Sequence, residues 1–342
     1  MAEHIAEQGT AVGVAAQGGS PLLELRDVHV TYRTSAGDVP AVRGVTLRVN
    51  AGEIVGVAGE SGCGKSTLAS TVLKIQPSNA TVAGQVLLDG QDVLEMRWGA
   101  LRAVRWAHAS IVFQGALHSL NPVRKIGRQI AEPILLHEQV SEKAATGRVS
   151  ELLEQVGLPA RRAAAYPHQL SGGQKQRVMI AMALACRPQV IIADEPTTAL
   201  DVMVQAQVLN LLSSLVHDLG VGMMMISHDL SVLGSTCDRV AVMYAGKIVE
   251  QGPASTVFDD PKHPYSRALS AAFPTIGDLA SRLAPRGLPG DPPDPADLPS
   301  GCSFHPRCPL AFGDCQETSP ELRPAGAADR MAACLLVSGE ST

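Results

Sequence analysis

The N-terminal part of the chain alternates apolar and polar residues. The alternation runs from residue 23 to 30 and from 42 to 49, and a polar turn around Ser35 to Asp38 separates the two runs. Successive side chains of a β-strand point to opposite faces, so this pattern predicts two strands that pair antiparallel through the turn. Residues 1–20 lack the basic start and the apolar centre of a signal peptide, and we expect a disordered leader there.

Later apolar runs do not alternate, which is typical of strands buried on both faces of a sheet. These runs and the other predicted strands cover 54–58, 85–90, 111–114, 190–194, 222–226 and a hairpin over 240–250. Apolar residues three or four positions apart predict helices over 121–167, as an insertion, and over 175–185 and 204–219. Strands and helices in this order predict an α/β fold.

A glycine-rich segment follows the apolar run at residues 54–58 and precedes a predicted helix. Its spacing, G-x-x-x-x-G-K-S, is typical of a loop whose backbone N–H groups surround a phosphate. Lys65 would reach the β- and γ-phosphates, and the Ser66 hydroxyl would bind Mg²⁺. The strand and helix on either side disfavour an ordinary glycine-rich turn. The predicted nucleotide contacts are Gly59, Ser61, Gly62, Cys63, Gly64, Lys65, Ser66 and Thr67.

Acidic and polar side chains end several of the later apolar runs. Asp194 ends one of them, and its carboxylate is the expected second Mg²⁺ ligand. Glu195 beside it is placed to accept a proton from the attacking water. His228 ends the next run and would donate to the γ-phosphate, while Gln114 ends a shorter one. A histidine at a strand end is equally often structural, and Gln114 alone indicates little, but the group predicts a nucleotide site.

Tyr32 lies directly after the first alternating run and is one of 4 tyrosines in the chain. An exposed ring at this place would stack on the adenine of a nucleotide. We favour this contact, and a purely structural tyrosine in the core or on an edge strand remains the alternative.

The composition limits the partners that the chain can have. Its 342 residues are 45% hydrophobic, which allows a large core and about two domains. The net charge is -5 and no basic cluster stands out, so nucleic acid is a poor candidate. The longest apolar runs are far shorter than the ~20 residues that span a bilayer, and no transmembrane helix is expected.

The pentapeptide Leu170-Ser171-Gly172-Gly173-Gln174 completes a set of motifs with the glycine loop and the acidic strand end. Over residues 22–269 this set strongly resembles the ATP-binding subunits of ABC transporters. The resemblance implies the ABC type of P-loop ATPase fold within residues 21–271. That fold has a mixed core sheet, an antiparallel β-subdomain and a helical subdomain, here at about 118–187. It also implies ATP and Mg²⁺ as cofactors.

The same resemblance gives roles to further residues. Gln114 is the Q-loop glutamine and a Mg²⁺ ligand, residues 199–201 are the D-loop, and His228 is the switch histidine. In the family, two such domains dimerise head to tail. ATP then lies between the glycine loop of one domain and the signature segment of the other, which here is the pentapeptide at residues 170–174. The N–H groups at a helix start suit a phosphate. The residues expected at this second contact are Ser171, Gly172, Gly173, Gln174 and Asp201.

A change of composition after about residue 272 predicts a domain boundary. Prolines are frequent between 285 and 299 and indicate a stiff linker. The tail, 272–342, resembles the C-terminal extension of dipeptide and oligopeptide importer ATPases, some of which hold a 4Fe–4S cluster. Four thiolates suit such a cluster or Zn²⁺, with unmetallated cysteines as a third reading, and His305 could replace a ligand. The predicted ligands are Cys302, Cys308, Cys315 and Cys334.

The resemblance implies the ATP-hydrolysing subunit of an ABC importer, peripheral to the cell membrane on its cytoplasmic face. The expected partners are two transmembrane permease subunits, a second ATPase subunit and an extracytoplasmic solute-binding protein. The resemblance favours a second ATPase subunit that is not identical to this chain, and a second copy of this chain is the alternative. Short peptides are the expected cargo, with nickel or another small solute as the alternative. A soluble ABC ATPase that acts on DNA or the ribosome is disfavoured, because the chain has no long coiled-coil insertion and no second ATPase domain.

Overall fold

The computed structural model describes residues 20–113, 119–198, 200–272, 288–326 and 329–337. Several sequence-based expectations lie outside the described residues: the leader up to residue 19, Gln114, residue 199 of the D-loop and the segment 273–287.

Four strands form an antiparallel sheet near the N-terminus. They are β1 (Leu23–Thr34), β2 (Gly37–Val49), β4 (Ala80–Leu88) and β5 (Gln91–Asp92), in the order β2-β1-β4-β5. The strand β1 pairs antiparallel with both β2 and β4. The predicted pair of alternating strands is therefore confirmed, because the alternation places one set of side chains against a core.

A larger mixed sheet forms the centre of the molecule. Its strands are β3 (Ile54–Ala58), β6 (Ala109–Val112), β7 (Val190–Asp194), β8 (Gly222–Ile226), β9 (Arg239–Tyr244), β10 (Lys247–Pro253), β11 (Arg323–Pro324) and β12 (Met331–Ala332). Their order is β11-β12-β10-β9-β3-β8-β7-β6, with parallel pairing from β6 to β9 and antiparallel pairing beyond it. All residues of β3, β7 and β8 are buried, as their apolar runs predict.

Helices flank the core sheet and form the predicted insertion. They are Lys65–Val72, Trp98–Ala107, Ile126–His137, Glu142–Gln155, Gly172–Ala183, Val202–Leu219, Leu230–Thr236, Ala254–Asp259, Pro264–Ala272 and Asp314–Glu317. The insertion predicted over 121–167 consists of two of these helices, Ile126–His137 and Glu142–Gln155, followed by short 3-10 turns. No helix in the described part of the chain is both long enough and apolar enough to cross a membrane.

The described part of the tail packs against the rest of the chain. Its strand β12 pairs with β10 and so widens the core sheet. The Phe304 side chain is fully buried, and its ring centroid lies 5.2 Å from that of Tyr244 and 5.4 Å from that of Tyr265. The boundary near residue 272 stays a prediction, and tail and core share one apolar cluster.

A buried ion pair fixes the tail to strand β10. The Nη2 atom of Arg330 donates to Oε1 of Glu250 at 2.9 Å, and the two side chains are 4% and 0% exposed. The Glu250 carboxylate also accepts backbone N–H groups of Lys262 and His263, at 2.9 and 2.8 Å. A buried charge with all of these partners is tolerated, whereas the loss of one partner is costly.

We expect Arg330→Ala to lower the free energy of unfolding by about 3 kcal/mol, because Glu250 would stay buried without its guanidinium partner. Urea unfolding followed by circular dichroism measures the change. The control is Arg323→Ala, which removes an exposed side chain from the neighbouring strand and should cost less than about 0.5 kcal/mol. Equal losses for the two variants would contradict the role given to the pair.

Candidate functional site

The glycine loop joins strand β3 to the helix Lys65–Val72, as its spacing predicts. Gly59 and Gly64 have φ angles of +149° and +106°, which favour glycine. A Cβ at Gly59 would overlap the carbonyl oxygen of Met243, and a Cβ at Gly64 would overlap that of Ala41. These two glycines are therefore required by both backbone conformation and space.

Lys65 is buried inside the loop that it belongs to. Its Nζ donates to the carbonyl oxygens of Gly59 and Glu60, at 2.7 and 2.9 Å, and lies 3.8 Å from the Sγ of Cys63. The ammonium group is thereby held among the loop atoms that a phosphate would meet. Burial raises the pKa of the Cys63 thiol, which keeps the thiol neutral beside the lysine.

The predicted Mg²⁺ ligands of the loop and of strand β7 lie together. The Ser66 hydroxyl donates to Oδ1 of Asp194 at 3.2 Å. Burial raises the pKa of Asp194, the hydrogen bond from Ser66 opposes that shift, and the Glu195 charge adds to it. A carboxylate beside a hydroxyl offers oxygen ligands to a hard divalent cation, so the residues present fit Mg²⁺.

Glu195 lies at the carboxyl end of strand β7 with a φ angle of +47°. One carboxylate oxygen, Oε1, is 3.2 Å from Nδ1 of His228. The other, Oε2, accepts a hydrogen bond from the Thr198 hydroxyl at 2.8 Å. The left-handed backbone and these contacts orient a carboxylate that is only 17% exposed. Glu195 and His228 were named as candidates from the sequence and lie together here, whereas Thr198 was not named, because no pattern in the sequence indicates its contact with Glu195.

Tyr32 lies beside the start of the helix that follows the loop. Its hydroxyl donates to the Thr67 hydroxyl at 3.2 Å, and its half-buried ring packs against the core of the antiparallel sheet. The structure therefore places Tyr32 next to the predicted nucleotide contacts. Its stacking on adenine stays a prediction.

The signature segment begins a helix at Gly172, at the helix start that was expected there, and the helix predicted over 175–185 is its continuation. The start is fixed by a capping box in which the Ser171 hydroxyl accepts from the Gln174 N–H at 3.3 Å and the Gln174 side chain accepts from the Ser171 N–H at 3.2 Å. Asp201 caps the helix Val202–Leu219 by accepting from the Val204 N–H at 3.0 Å. A Cβ at Gly173 would overlap Cγ1 of Val204, so the two helix starts pack closely.

The four tail cysteines line one small cavity, together with His263 and His305. Burial raises the pKa of the thiols of Cys302, Cys308 and Cys334, and nearby thiols raise each of them further. Within residues that the structure describes, however, no three His, Cys, Asp or Glu side chains are arranged as a metal site. The convergence of four thiols was expected, but the arrangement gives no support to a 4Fe–4S cluster.

Two contacts to the loop were not predicted from the sequence. The Glu60 N–H donates to the Tyr265 hydroxyl at 2.9 Å, and Arg307 forms an ion pair with the Glu60 carboxylate. Both partners lie in stretches of the chain that had been singled out only for their resemblance to importer tails. A pattern of neighbouring residues in the sequence cannot predict a contact between residues so far apart in the chain.

The loop, the strand-end carboxylates and the capped helices together define a P-loop nucleotide-binding domain. Two families match the chain. The ABC transporter family matches residues 42–198, and the family described as oligopeptide/dipeptide transporter, C-terminal region, matches residues 249–315.

Known proteins resemble the chain over most of its length. The oligopeptide transport ATP-binding protein OppD of Salmonella typhimurium is 42% identical over 308 residues, 90% of this chain and 91% of that protein. OppD of Mycobacterium bovis is 45% identical over 330 residues, 94% of this chain but 53% of that protein. This chain thus spans about half the length of the mycobacterial relative.

Among solved structures, the dimeric bacterial ABC transporter cassette MJ0796 superposes with a TM-score of 0.61 at 29% identity. The likeness covers 68% of this chain and 98% of that one. The chain belongs to the ATP-binding proteins of ABC transporters, in the group with the oligopeptide/dipeptide transporter C-terminal region. The resemblance and the predicted ABC ATPase fold are therefore confirmed, whereas the cysteine-containing extension as part of that fold stays a prediction.

We expect Gly173→Ala to lower the free energy of unfolding by about 2 kcal/mol, because the new methyl group would overlap Val204 in a packed contact. Val204→Ala in the same chain removes the overlapping methyl groups and should recover most of that loss. Thermal unfolding of the two single variants and the double variant measures the coupling. Additive losses would show that the two side chains do not meet as the structure places them.

Proposed function

We propose that the chain binds ATP with Mg²⁺ and hydrolyses it as the ATP-binding subunit of an ABC importer. The observation that carries this proposal is the close approach of the glycine loop to the polar residues at the ends of the core strands. Ser66 is hydrogen-bonded to Asp194, and Glu195 is 3.2 Å from His228, at the carboxyl edge of the core sheet. Open α/β sheets bind their ligands at that edge.

The residues at this edge have different roles in ATP hydrolysis, namely Mg²⁺ binding, proton acceptance and contact with the γ-phosphate. Ser66 and Asp194 would hold Mg²⁺, which supplies positive charge against the phosphates, and Gln114 is the further ligand expected from the sequence. Glu195 accepts a proton from water as the water oxygen bonds to the γ-phosphorus and the bond to the ADP oxygen breaks. The hydroxyl of Thr198 keeps the carboxylate turned toward that water, and His228 donates to the γ-phosphate.

The site is completed by a second ATPase subunit in this proposal. Ser171 is exposed and Gln174 is partly exposed at the start of their capped helix, where the first N–H groups have no partner within the helix ladder. The loop already offers N–H groups to a phosphate within one chain, so the signature segment is available to a nucleotide held by a partner. Closure on ATP and opening after hydrolysis would then be two states with different contacts to the γ-phosphate.

The proposed cargo is a di- or oligopeptide. Both curated relatives are oligopeptide transport ATP-binding proteins by name, and the match at residues 249–315 is to an oligopeptide/dipeptide transporter region. These names favour peptides over nickel. The proposed partners are two permease subunits, a second ATPase subunit that is not identical to this one, and a solute-binding protein. The proposed location is the cytoplasmic face of the membrane.

We expect Glu195→Gln to bind ATP nearly as wild type does and to lose almost all hydrolysis, because only the proton acceptor is removed. Nucleotide affinity and phosphate release are measured on the same samples. Near-normal hydrolysis would contradict the role of Glu195.

Lys65→Ala is the matched comparison, since it removes charge from the phosphate contacts and should weaken ATP binding itself. The two variants must differ in affinity for the division of roles to hold. In cells, both should abolish uptake of a labelled peptide, and uptake of labelled nickel instead of peptide would contradict the proposed cargo.

We further propose that the four tail thiols bind a 4Fe–4S cluster. The support is the chemical type of the four donors, because thiolates suit soft metals and clusters, and it is not their arrangement, which shows no metal site within the described residues. Anaerobically purified chain is expected to contain ~4 iron atoms and ~4 sulfides per chain. Cys308→Ser should lower the iron content, whereas Cys186→Ser, at a buried cysteine outside the cavity, should not. Zinc instead of iron, or no metal, would contradict the cluster.

A further inference from the structure

Glu60, the second residue of the glycine loop, is joined to the tail by a two-armed ion pair. The Nη1 atom of Arg307 donates to Oε2 of Glu60 at 2.7 Å, and Nη2 donates to Oε1 at 2.9 Å. The side chains are 7% and 22% exposed for Arg307 and Glu60, so water screens the pair poorly. Bidentate pairs of this kind fix direction as well as distance.

The guanidinium of Arg307 is itself held from several sides. Its Nε donates to the carbonyl oxygen of Pro289 at 3.0 Å, and its central carbon lies 5.9 Å from the centroid of the Tyr244 ring. The Arg307 N–H donates to the carbonyl oxygen of the buried Phe304 at 3.0 Å. Arg307 is thus a fixed point on the tail, unlike a flexible arginine on the surface.

The backbone of Glu60 is hydrogen-bonded to other residues around the loop. Its N–H donates to the Tyr265 hydroxyl at 2.9 Å, and its carbonyl oxygen accepts from Nζ of Lys65 at 2.9 Å. A rotation of residue 60 would therefore move an acceptor of Lys65. An unpaired Glu60 carboxylate would also place a negative charge beside the phosphates, where it would repel them.

We propose that Arg307 is a positioning residue for the nucleotide: it holds the Glu60 carboxylate, and so fixes the loop and neutralises a charge beside the phosphate site. The proposal rests on the proposed binding of ATP at this loop. Arg307 acts through Glu60 and is not assigned a contact with the nucleotide. The tail is then part of the support of the ATP site.

The test compares ATP hydrolysis and ATP affinity among variants. Arg307→Ala is expected to raise both the KM and the dissociation constant for ATP about ten-fold, with kcat changed by less than about two-fold. Arg307→Lys keeps the charge with fewer hydrogen bonds and should lie in between. Glu60→Gln added to Arg307→Ala removes the unpaired charge and should lower the KM again.

The matched control is Arg330→Ala, which removes the other buried ion pair of the tail without touching the loop. It should lower thermal stability and leave the KM for ATP unchanged below the unfolding temperature. An equal rise in KM for Arg307→Ala and Arg330→Ala, or wild-type affinity in Arg307→Ala, would overturn the proposal.

If Arg307→Ala does not fold, Arg307→Lys and the double variant decide the question, because both keep the site electrically balanced. Failure of the wild-type chain to bind ATP would be a different result. It would overturn the proposed function first, and this inference with it.

Discussion

The glycine loop at residues 59–67 depends on close packing of its main chain against the main chain of two neighbouring strands. At Gly59 and Gly64 the carbonyl oxygens of Met243 and Ala41 occupy the space that side chains would need. Met243 belongs to strand β9 of the core sheet and Ala41 to strand β2 of the antiparallel sheet. Both sheets therefore shape the loop, and the N–H groups that would bind phosphate are fixed before any nucleotide arrives. Such preorganisation keeps the cost of ordering low at the moment of binding.

The order of the strands explains why residues distant in the chain meet at the loop. Strand β8 lies between β3 and β7, so His228, which follows β8, comes to the same edge of the sheet as the loop after β3 and the two carboxylates at the end of β7. Parallel strands end at one edge, and each contributes the polar residue that follows it. The raised pKa of Asp194 has the same origin, because burial at that edge outweighs the opposing influence of the Ser66 hydroxyl and the Lys65 charge.

Much of this arrangement could be predicted from the sequence, because its signals are local. Period-two alternation, short apolar runs and the glycine spacing each report on a few neighbouring residues, and the strands and the loop follow from them. The helix start expected at Ser171 to Gly173 lies at Gly172, where the capping box of Ser171 and Gln174 fixes it. Thr198 and Arg307 could not be predicted, since their roles depend on where the fold brings Glu195 and Glu60. Arg307 and Glu60 are 247 residues apart in the chain.

The packing of the tail shows that a boundary between matched families need not be a boundary in the molecule. The ABC transporter match ends at residue 198 and the C-terminal match begins at 249, inside strand β10. The tail adds β12 to β10 at one place and reaches the nucleotide loop through Arg307 at another. The buried ring of Phe304 adds a third contact, against Tyr244 and Tyr265. These attachments are separate: the Arg307 side chain meets the loop directly, whereas β12 meets the core sheet at β10. The tail therefore packs into the same apolar core as the segment that matches the ABC transporter family, although the two sequences match separate families.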